Sequence, residues 1–385
     1  MEQVLTTERI PIKMWLNDME DGALKQAKDV ANLPFAYKWV SIMPDSHQGY
    51  GMPIGGVLAT DDVVVPNAVG VDIGCGMVAV KTALTEISTE QKIQWARDVR
   101  GLIPIGLGKQ NEDDQEWEGF DRAPDIEVTS TELNKSRKQL GSLGAGNHFI
   151  ELQKDEMGYI WIMIHSGSRN FGYRVAKHYH KVAQVLCEKW QSDIPNKDLA
   201  FLPVSEKIGR EYLEAMGFAL DYAWANRDLM MEHAKYALTL STGLGADGFD
   251  EVANIHHNYA SLEHHYGRNV FVHRKGAIKA AVGTIGIVPG SMGTSSYITE
   301  GLGTPESFKS SSHGAGRTMG RGQARRTLNL QEERDKMLNV IGKPRSEKNL
   351  DESPGAYKDI NVVMENQKDL VKILVKLNPL VSIKG

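Results

Sequence analysis

Several features that would place this chain in a specialised class are scarce or missing. Only two of the 385 residues are cysteines, so the sequence predicts no disulfide framework. No apolar run approaches the roughly 20 residues that a helix needs to cross a membrane. Residues 1–4 do not begin a basic segment followed by an apolar one, so we expect no signal peptide. Together these absences favour a cytoplasmic protein that does not contact a membrane.

Common nucleotide-binding motifs are also missing. The sequence contains neither the glycine-rich Walker loop nor the Lys-x-Asp-Gly motif of ordinary polynucleotide ligases. Residues 243–248 match the glycine spacing of a dinucleotide site, but they follow a predicted helix rather than a strand. We therefore do not predict a dinucleotide site there.

Charge and composition are those of an ordinary globular protein. Hydrophobic residues make up 41% of the chain and charged residues 24%, which is typical of a folded domain with a large core. The net charge is −5. Binding of nucleic acid would therefore require a local basic patch, because the molecule as a whole is not a polycation.

Hydrophobic periodicity predicts four helices, at residues 88–102, 173–190, 205–240 and 356–377. Ser205 is a candidate cap for the third helix, and Gly243 is a candidate stop signal. Short apolar runs predict strands at residues 63–66, 77–82, 160–165, 270–273 and 280–288. Because helices and strands do not alternate strictly, we predict an α+β fold. Mixed and antiparallel sheets, flanked by helices, would surround a central metal cleft.

Two polar segments are predicted to be loops, at residues 109–127 and 343–355. Motifs suited to metal binding lie on both sides of each segment, so neither marks a domain boundary. We expect a single domain over residues 1–385, and a monomer.

The sequence around Cys75 is suited to a metal site. Asp72 and Cys75 are three residues apart, and glycines at 70, 74 and 76 allow a tight turn that brings both side chains to one ion. For an isolated cysteine, a structural role in the core is the commoner explanation. The histidines described next favour a metal instead. Cys187 has no such neighbours and is predicted to be a core residue.

Three glycine- or serine-flanked segments each supply a histidine: His148, His165 and His257, the last preceded by His256. Each of them alone is more often a structural histidine with its hydrogen bonds satisfied. Together with Asp72 and Cys75 they favour a transition-metal site. Imidazole, thiolate and carboxylate suit Zn, Mn, Fe or Co, and the sequence does not choose among them.

A fourth histidine, His313, precedes the segment Gly314-Ala315-Gly316-Arg317. If a helix begins near Gly314, its free N–H groups form an anion site. Arg317, Arg321 and Arg325 would then lie on one helical face and bind phosphate. The alternative is a solvated basic face without a ligand, or one that pairs with the acidic residues at 332–333.

These segments resemble the RtcB family of RNA-splicing ligases. The matching motifs extend over nearly the whole chain: MPDSHQG at 43–49, VDIGCG at 71–76, GAGNHFIE at 144–151, HSGSR at 165–169, HHNY at 256–259, PGSMG at 289–293, HGAGR at 313–317 and KG at 384–385. The resemblance implies an enzyme that uses GTP and two Mn²⁺ ions. It would join RNA 3′-phosphate or 2′,3′-cyclic phosphate ends to 5′-hydroxyl ends through a histidine–GMP intermediate, in RNA repair or tRNA splicing.

The resemblance also implies a role for individual residues. His313 would be the nucleophile, and Asp45 would orient it. The metal ligands would be Asp72, Cys75, His148, His165 and His257, with Cys75 bridging the two ions. The GTP-binding residues would be Asn147, Glu151, Ser291, Ser296, Gly314, Ala315, Gly316, Arg317, Tyr357 and Lys384. RNA phosphates would be bound by Arg317, Arg321 and Arg325.

Two other classes of protein compete with this hypothesis. A dinuclear metal phosphoesterase could open cyclic phosphates at RNA ends without joining them, but it would not need His313 beside a glycine-rich segment. A catalytically silent RNA-binding protein would not need so many matching metal and nucleophile positions.

Overall fold

Two large β-sheets form the centre of the computed structural model, which describes residues 1–344 and 346–385. The strands are β1 (Gln3–Leu5), β2 (Ile12–Met14), β3 (Ala36–His47), β4 (Ile54–Thr60), β5 (Val63–Val64), β6 (Gly76–Thr82), β7 (Phe149–Asp155), β8 (Ile160–Ser166), β9 (Leu202–Pro203), β10 (Phe249–His256), β11 (Asn258–His265), β12 (Arg268–Lys275), β13 (Ala277–Lys279), β14 (Ile285–Val288), β15 (Ser296–Gly301), β16 (Ser310–Ser312) and β17 (Val371–Lys384).

The strand order of the larger sheet, with seven strands, is β10-β6-β8-β7-β17-β15-β14, and all its neighbouring pairs are antiparallel. Its two edge strands, β10 and β14, contact each other, so the sheet curls strongly. The second sheet has six strands in the order β1-β2-β3-β4-β12-β11, and only β2 and β3 are parallel. Two short pairs, β13 with β16 and β5 with β9, complete the strands.

The helices pack mainly around these sheets. They are α1 (Asp21–Ala31), α2 (Pro66–Val69), α3 (Thr89–Leu102), α4 (Glu127–Gln139), α5 (Arg169–Lys189), α6 (Lys207–Thr242), α7 (Arg321–Thr327), α8 (Leu330–Asp335) and α9 (Ile360–Asn366). Short 3₁₀ turns occupy Glu118–Arg122, Lys197–Leu199, Ala246–Gly248, Pro305–Ser307, Glu347–Glu352 and Pro354–Ala356.

The core follows the two-residue repeat of the strands in the larger sheet. Val78 and Val80 of β6 face α3 and α6, where they pack with Trp95. Met77 and Ala79 point to the opposite face and pack inside the curled sheet. Alternation of side chains across a strand explains how one short segment serves two packing layers. Both faces of β6 are buried, which holds the adjoining Cys75 segment firmly in place.

The predicted α+β fold with mixed sheets is confirmed. Ser88 caps α3 through a reciprocal capping box with Gln91, and Gly243 ends α6 in the left-handed conformation at φ 78°. Ser205 is not the cap of α6, since the helix begins at Lys207 after Glu206. Cys187 is buried in the core, as predicted. The single domain over residues 1–385 stays a prediction.

The predicted helix at residues 356–377 is wrong. A short helix, α9, ends at Asn366, and the following segment forms β17, the longest strand of the structure. This strand pairs with β15 on one side and β7 on the other. Its alternating valine and isoleucine residues fit a pleated sheet, and the two ladders outweigh the local helical pattern.

The other predicted boundaries need smaller corrections. Helix α5 begins at Arg169 rather than near residue 173. In the predicted strand at 280–288, only Ile285–Val288 is extended. The predicted strand at 63–66 stops at Val64, because Pro66 begins helix α2. The predicted loop at 343–355 contains the 3₁₀ turn Glu347–Glu352, and Arg345 within it lies outside the described residues. Every helix in the described ranges is too short or too polar to cross a lipid bilayer.

One buried histidine of the second sheet makes stability depend on pH. The Nε2 atom of His273 accepts a hydrogen bond from the Val65 N–H at 2.9 Å, and burial lowers the pKa of His273 to about 4. An unfolded histidine titrates near 6.5, so the unfolded chain binds this proton more tightly. The stabilisation is complete above about pH 6.5 and is lost as the pH falls toward about 4.

We expect His273→Gln to reduce the acid sensitivity of the protein. The free energy of unfolding of the wild type should fall more between pH 7 and pH 5 than that of the variant, by about 2 kcal/mol. Urea unfolding at the two pH values measures this difference. His178→Gln, at an exposed position of α5, is the matched control and should behave like the wild type. Identical pH dependence of wild type and His273→Gln would contradict the assignment.

Candidate active site

Four neighbouring strands of the larger sheet, β10, β6, β8 and β7, each have one end in the same region of the sheet. Gly76, the first residue of β6, pairs with His256 of β10 and with Ser166 of β8. His165 of β8 pairs with Phe149, the first residue of β7. The residues next to these ends therefore meet, although they come from distant parts of the sequence. They are Cys75, His148, His165 and His257.

Tight contacts explain the glycines around Cys75. Gly74 has φ 75°, and a Cβ atom there would lie 2.9 Å from the Cβ of Ala223 on α6. A Cβ atom on Gly76 would lie 2.0 Å from the carbonyl oxygen of Ile255. Larger residues would push the turn away from the helix and from β10.

Cys75 lies at the centre of the cluster. Its Sγ atom is 3.4 Å from Nε2 of His148 and 3.2 Å from Nε2 of His165. Ligand atoms of these three buried residues all lie within 4.8 Å of one another, a spacing that could hold a metal ion. Asp72 Oδ2 is 3.1 Å from His148 Nε2 on one side. On the other side the rings of His165 and His257 are 5.1 Å apart, centre to centre.

Hydrogen bonds orient two of the imidazoles. Nδ1 of His148 lies 2.9 Å from the carbonyl oxygen of Leu143, and Nδ1 of His165 lies 3.2 Å from that of Asn147. A carbonyl oxygen can only accept, so each Nδ1 is the donor, and each Nε2 faces the sulfur of Cys75. This second layer of contacts is the usual way to aim a histidine at a metal.

The chemistry of these groups fits a bound metal. Burial lowers the pKa of His165 and His257 well below the ordinary value, so both rings are neutral and free to ligate. Burial also raises the pKa of the Cys75 thiol, and the Asp72 carboxylate raises it further. A metal would displace that proton. Within the described residues, Nδ1 of His257 is buried without a hydrogen-bond partner, which a metal bond would supply.

Arg227 supports the cluster and was not found by sequence reasoning. This buried residue of α6 donates hydrogen bonds to the carbonyl oxygens of Gly74 and Ser166, 3.0 Å each, and to Asn254 Oδ1. It thus ties the Cys75 turn to the end of β8. No local pattern distinguishes it from the other polar residues of a long helix.

His313 lies beside the cluster and is paired with Asp45. Its Nδ1 atom is 2.7 Å from Asp45 Oδ2, and its backbone N–H donates to the same oxygen at 3.1 Å. The ring of His313 is 4.6 Å from that of His257, centre to centre. With Nδ1 donating to the carboxylate, the lone pair of a neutral ring is on Nε2, the atom that can act as a nucleophile.

Close backbone packing holds this pair together. Gly316 has φ 75°, and a Cβ atom there would lie 2.0 Å from the carbonyl oxygen of Asp45. The glycine-rich segment after His313 therefore lies directly on the strand that carries Asp45. Glycine is required here for contact between backbones.

A cavity of about 690 Å³ opens over both the cluster and His313. Its lining includes Asp72, Cys75, His165 and His257 from the predicted metal ligands. It also includes seven of the predicted nucleotide-binding residues: Asn147, Gly314, Ala315, Gly316, Arg317, Tyr357 and Lys384. The volume is in the range of small-molecule sites.

The other three predicted nucleotide-binding residues lie behind the cavity wall. Glu151 accepts hydrogen bonds from Ser382 and Gln153, and Gln153 also donates to Ser296. Ser291 is hydrogen-bonded to Thr294. All three are buried, so direct contact with a nucleotide stays a prediction for Glu151, Ser291 and Ser296.

The helix predicted near Gly314 is wrong, and with it the continuous arginine face. Residues 313–320 form no helix, and α7 begins only at Arg321. Arg317 instead forms a bridge with Tyr357. The three arginines still converge, because Arg317 and Arg321 bind the Glu352 carboxylate, and Arg321 and Arg325 bind that of Asp351. The acidic partners come from the 3₁₀ turn rather than from residues 332–333.

Two cavity residues were missed by sequence reasoning. Lys275 is buried, and its ammonium group donates to the carbonyl oxygens of Tyr50 and Asn67. Burial lowers the pKa of Lys275 to about 7. His47, whose pKa burial lowers to about 4, also lines the cavity. Each of the two residues lies next to a glycine-containing turn in the sequence. Many surface residues have the same pattern, so it does not identify residues of a cavity.

Comparison with known proteins gives one consistent result. The family model described as tRNA-splicing ligase RtcB matches residues 26–385. The chain is 38% identical to the RNA-splicing ligase RtcB of Escherichia coli, over all of this chain and 99% of that protein. It is 31% identical to the tRNA-splicing ligase RtcB of Pyrobaculum aerophilum, over 98% of this chain and 95% of that protein.

The position of Cys75 between two groups of ligands generates a prediction about metal content. We expect Cys75→Ala to lose bound Mn²⁺ more completely than His257→Ala, because a central thiolate would serve both sides of the cluster. Elemental analysis after incubation with Mn²⁺ and desalting gives the stoichiometry. Cys187→Ala, which removes the other buried cysteine, is the matched control and should bind as the wild type does. Equal losses in Cys75→Ala and His257→Ala would argue against a central role.

Proposed function

Because this chain belongs to the RtcB family of RNA-splicing ligases, we propose that it is an RNA ligase that uses GTP and Mn²⁺. It joins RNA ends that carry a 3′-phosphate or 2′,3′-cyclic phosphate to ends that carry a 5′-hydroxyl, in RNA repair or tRNA splicing. His313 carries the guanylyl group between GTP and RNA. The proposal includes a cytoplasmic location and a monomer, which stay predictions.

The observation that carries this proposal is the pairing of His313 with Asp45 beside the metal cluster. Nδ1 of His313 is held by Asp45 Oδ2 at 2.7 Å, while the ring borders the cavity. Asp45 is completely buried, so water does not compete for this hydrogen bond. The carboxylate fixes the tautomer, orients the ring and stabilises the positive charge that develops when Nε2 attacks.

Five residues of the cluster would hold the metal. Asp72 contacts His148, His165 lies beside His257, and the Cys75 thiol contacts one histidine of each pair. Two Mn²⁺ ions held by these five residues would polarise phosphoryl oxygens and neutralise the charge of the transition state. The ring of His257 lies 4.6 Å from that of His313, so the nucleophile stands next to the metal ligands.

The cavity walls supply contacts for a nucleotide. The backbone of Gly314–Gly316 can approach phosphate closely, because the segment has few side-chain atoms. Asn147, Lys384, Tyr357 and Arg317 border the same space, and the last three all contact the carboxylate of Glu352. Lysine and arginine bind phosphate oxygens through charge-assisted hydrogen bonds.

The proposed reaction has three bond exchanges after any cyclic phosphate is opened to a 3′-phosphate. Nε2 of His313 forms a bond to the α-phosphorus of GTP, and pyrophosphate leaves. An oxygen of the RNA 3′-phosphate then takes the guanylyl group, which frees His313. Finally the 5′-hydroxyl oxygen attacks the RNA phosphorus, and GMP leaves with the electrons of the broken P–O bond. Covalent catalysis of this kind replaces one difficult step by easier ones.

A dinuclear phosphoesterase is the alternative function. It would use the metal cluster to open cyclic phosphates, but it would have no use for His313 held in a fixed tautomer by a buried carboxylate. The histidine–aspartate pair therefore favours the ligase.

We expect His313→Ala to abolish formation of the GMP adduct and RNA joining, since the attacking nitrogen is lost. Wild-type protein incubated with GTP and Mn²⁺ should gain the mass of one guanylyl group, which is GMP minus water, as measured by mass spectrometry of the intact chain. His178→Ala, which removes an exposed histidine of α5, is the control and should be labelled fully. An undiminished adduct in His313→Ala would overturn the assignment, and a wild type that opens cyclic phosphates without an adduct would favour the phosphoesterase.

We expect the double variant Arg321→Ala/Arg325→Ala to bind RNA more weakly, with guanylylation at saturating GTP changed much less. Each lost phosphate contact should reduce the slope of log affinity against log salt by about 0.7 to 0.9. Binding of a labelled RNA at several salt concentrations measures the slope. An unchanged slope would mean that the arginines only pair with Asp351 and Glu352. Loss of guanylylation with RNA binding intact would assign them to GTP.

A further inference from the structure

A second cavity, of about 670 Å³, is lined by Asp72 and His148 of the metal cluster. It meets the first cavity at Asp72, Asn147, Arg321 and Lys384, which line both. His313 and the glycine-rich segment after it line only the first cavity. The active site is therefore approached by two routes, and only one of them holds the nucleophile.

The second cavity is strongly basic. Six cationic side chains line it, against three acidic side chains: Arg100, Arg321, Arg325, Lys343, Lys348 and Lys384, against Asp72, Asp351 and Glu352. Asp351 and Glu352 are already engaged by Arg321 and Arg325. In the part of the chain that the structure describes, neither Lys343 nor Lys348 has an ion-pair partner. These two ammonium groups are available to a ligand.

The basic surface continues away from the metal cluster. A further cavity of about 520 Å³ shares Arg100, Gly342, Lys343 and Ser382 with the second one, and it adds Arg97. Arg97, Arg100 and Lys343 therefore mark a continuous track that leads outward from Asn147. Over the described residues, no phenylalanine, tyrosine or tryptophan lines either cavity, so bases have no aromatic ring to stack on and the cationic side chains favour contacts to phosphates.

We propose that this track binds the RNA strand that carries the 5′-hydroxyl end, with Lys343 and Lys348 contacting its backbone phosphates. The inference rests on the proposed ligase function. It assigns the two RNA ends to different cavities, with the 3′-phosphate end on the His313 side and the 5′-hydroxyl end on the Lys343 side.

The direction of the final displacement supports this assignment. In phosphoryl transfer the attacking and leaving oxygens lie roughly in line through phosphorus. The 5′-hydroxyl oxygen forms its bond while the bond to GMP breaks, and the hydroxyl proton passes to water. GMP leaves toward the cavity in which His313 delivered it. The 5′-hydroxyl must then arrive from a different direction, and the second cavity reaches Asp72 and Asn147 without bordering His313.

The test compares the double variant Lys343→Ala/Lys348→Ala with the wild type and with Lys177→Ala/Lys181→Ala. The control pair makes the same charge change on exposed positions of α5, and neither residue lines any of the three cavities. One probe is a fluorescent single-stranded RNA with a 5′-hydroxyl and a blocked 3′ end, and its binding is followed by anisotropy. The other is an RNA with a 3′-phosphate, whose conversion to the guanylylated end is followed by gel.

We expect the double variant to bind the 5′-hydroxyl RNA about 20-fold more weakly at 0.1 M salt, with a salt slope reduced by about 1.4 for two phosphate contacts. The GMP adduct on His313 and activation of the 3′-phosphate RNA should match the wild type. Joining should be slow at low concentrations of the 5′-hydroxyl strand and should recover at high ones.

Unchanged affinity and salt slope for the 5′-hydroxyl RNA would overturn the proposal. A defect in 3′-end activation, with 5′-hydroxyl RNA binding intact, would also overturn it by assigning the cavity to the other strand. Since anisotropy needs no GTP, a wild type that forms no adduct would contradict the ligase function, while the affinity comparison would still decide whether Lys343 and Lys348 bind this strand.

Discussion

The register of four antiparallel strands is the constraint on which the site depends. Because Gly76 pairs with both His256 and Ser166, and His165 pairs with Phe149, the ends of β10, β6, β8 and β7 form one edge. A shift of one residue in any of these ladders would turn the side chains to the opposite face. Cys75 would then lose His165 or His148 as a neighbour, and the cluster would no longer offer sulfur and nitrogen ligands to one ion.

Burial of this edge costs stability, and the fold offsets that cost with backbone contacts. The imidazoles of His148 and His165 donate through Nδ1 to the carbonyl oxygens of Leu143 and Asn147, and burial lowers the pKa of His165 so that this ring carries no charge. Arg227 is a buried cation, but two carbonyl oxygens and Asn254 accept its hydrogen bonds. Removing one partner from such a network leaves a buried polar group unsatisfied, which is more costly than never burying it. The residues that hydrogen-bond to the cluster, such as Arg227, are therefore as necessary to the arrangement of the site as the candidate metal ligands.

The three arginines beside the active site are held together by two neighbouring carboxylates. Asp351 and Glu352 hold Arg317, Arg321 and Arg325 close together despite their mutual repulsion. Preorganised guanidinium groups lose less conformational freedom when phosphate binds. Because Asp351 and Glu352 pair with arginines, their charge does not compensate that of Lys343 and Lys348 in the second cavity. The two cavities therefore differ in which cationic side chains can bind an RNA strand.

The sequence by itself determined the chemical inventory: the five candidate ligands, His313, the glycines that permit close backbone contact, and the α+β class. These follow from residue types and short spacings, which are local properties. Tertiary structure alone decided that residues 371–384 form a strand, because β7 and β15 supply hydrogen bonds that an isolated segment lacks. It also decided that Arg227 supports the Cys75 turn and that Asp351 and Glu352 gather the arginines. The contact between Asp45 and His313 across 268 positions was implied by the family resemblance and by no spacing. Contacts between distant segments depend on sheet register and packing, and no spacing within the sequence encodes them.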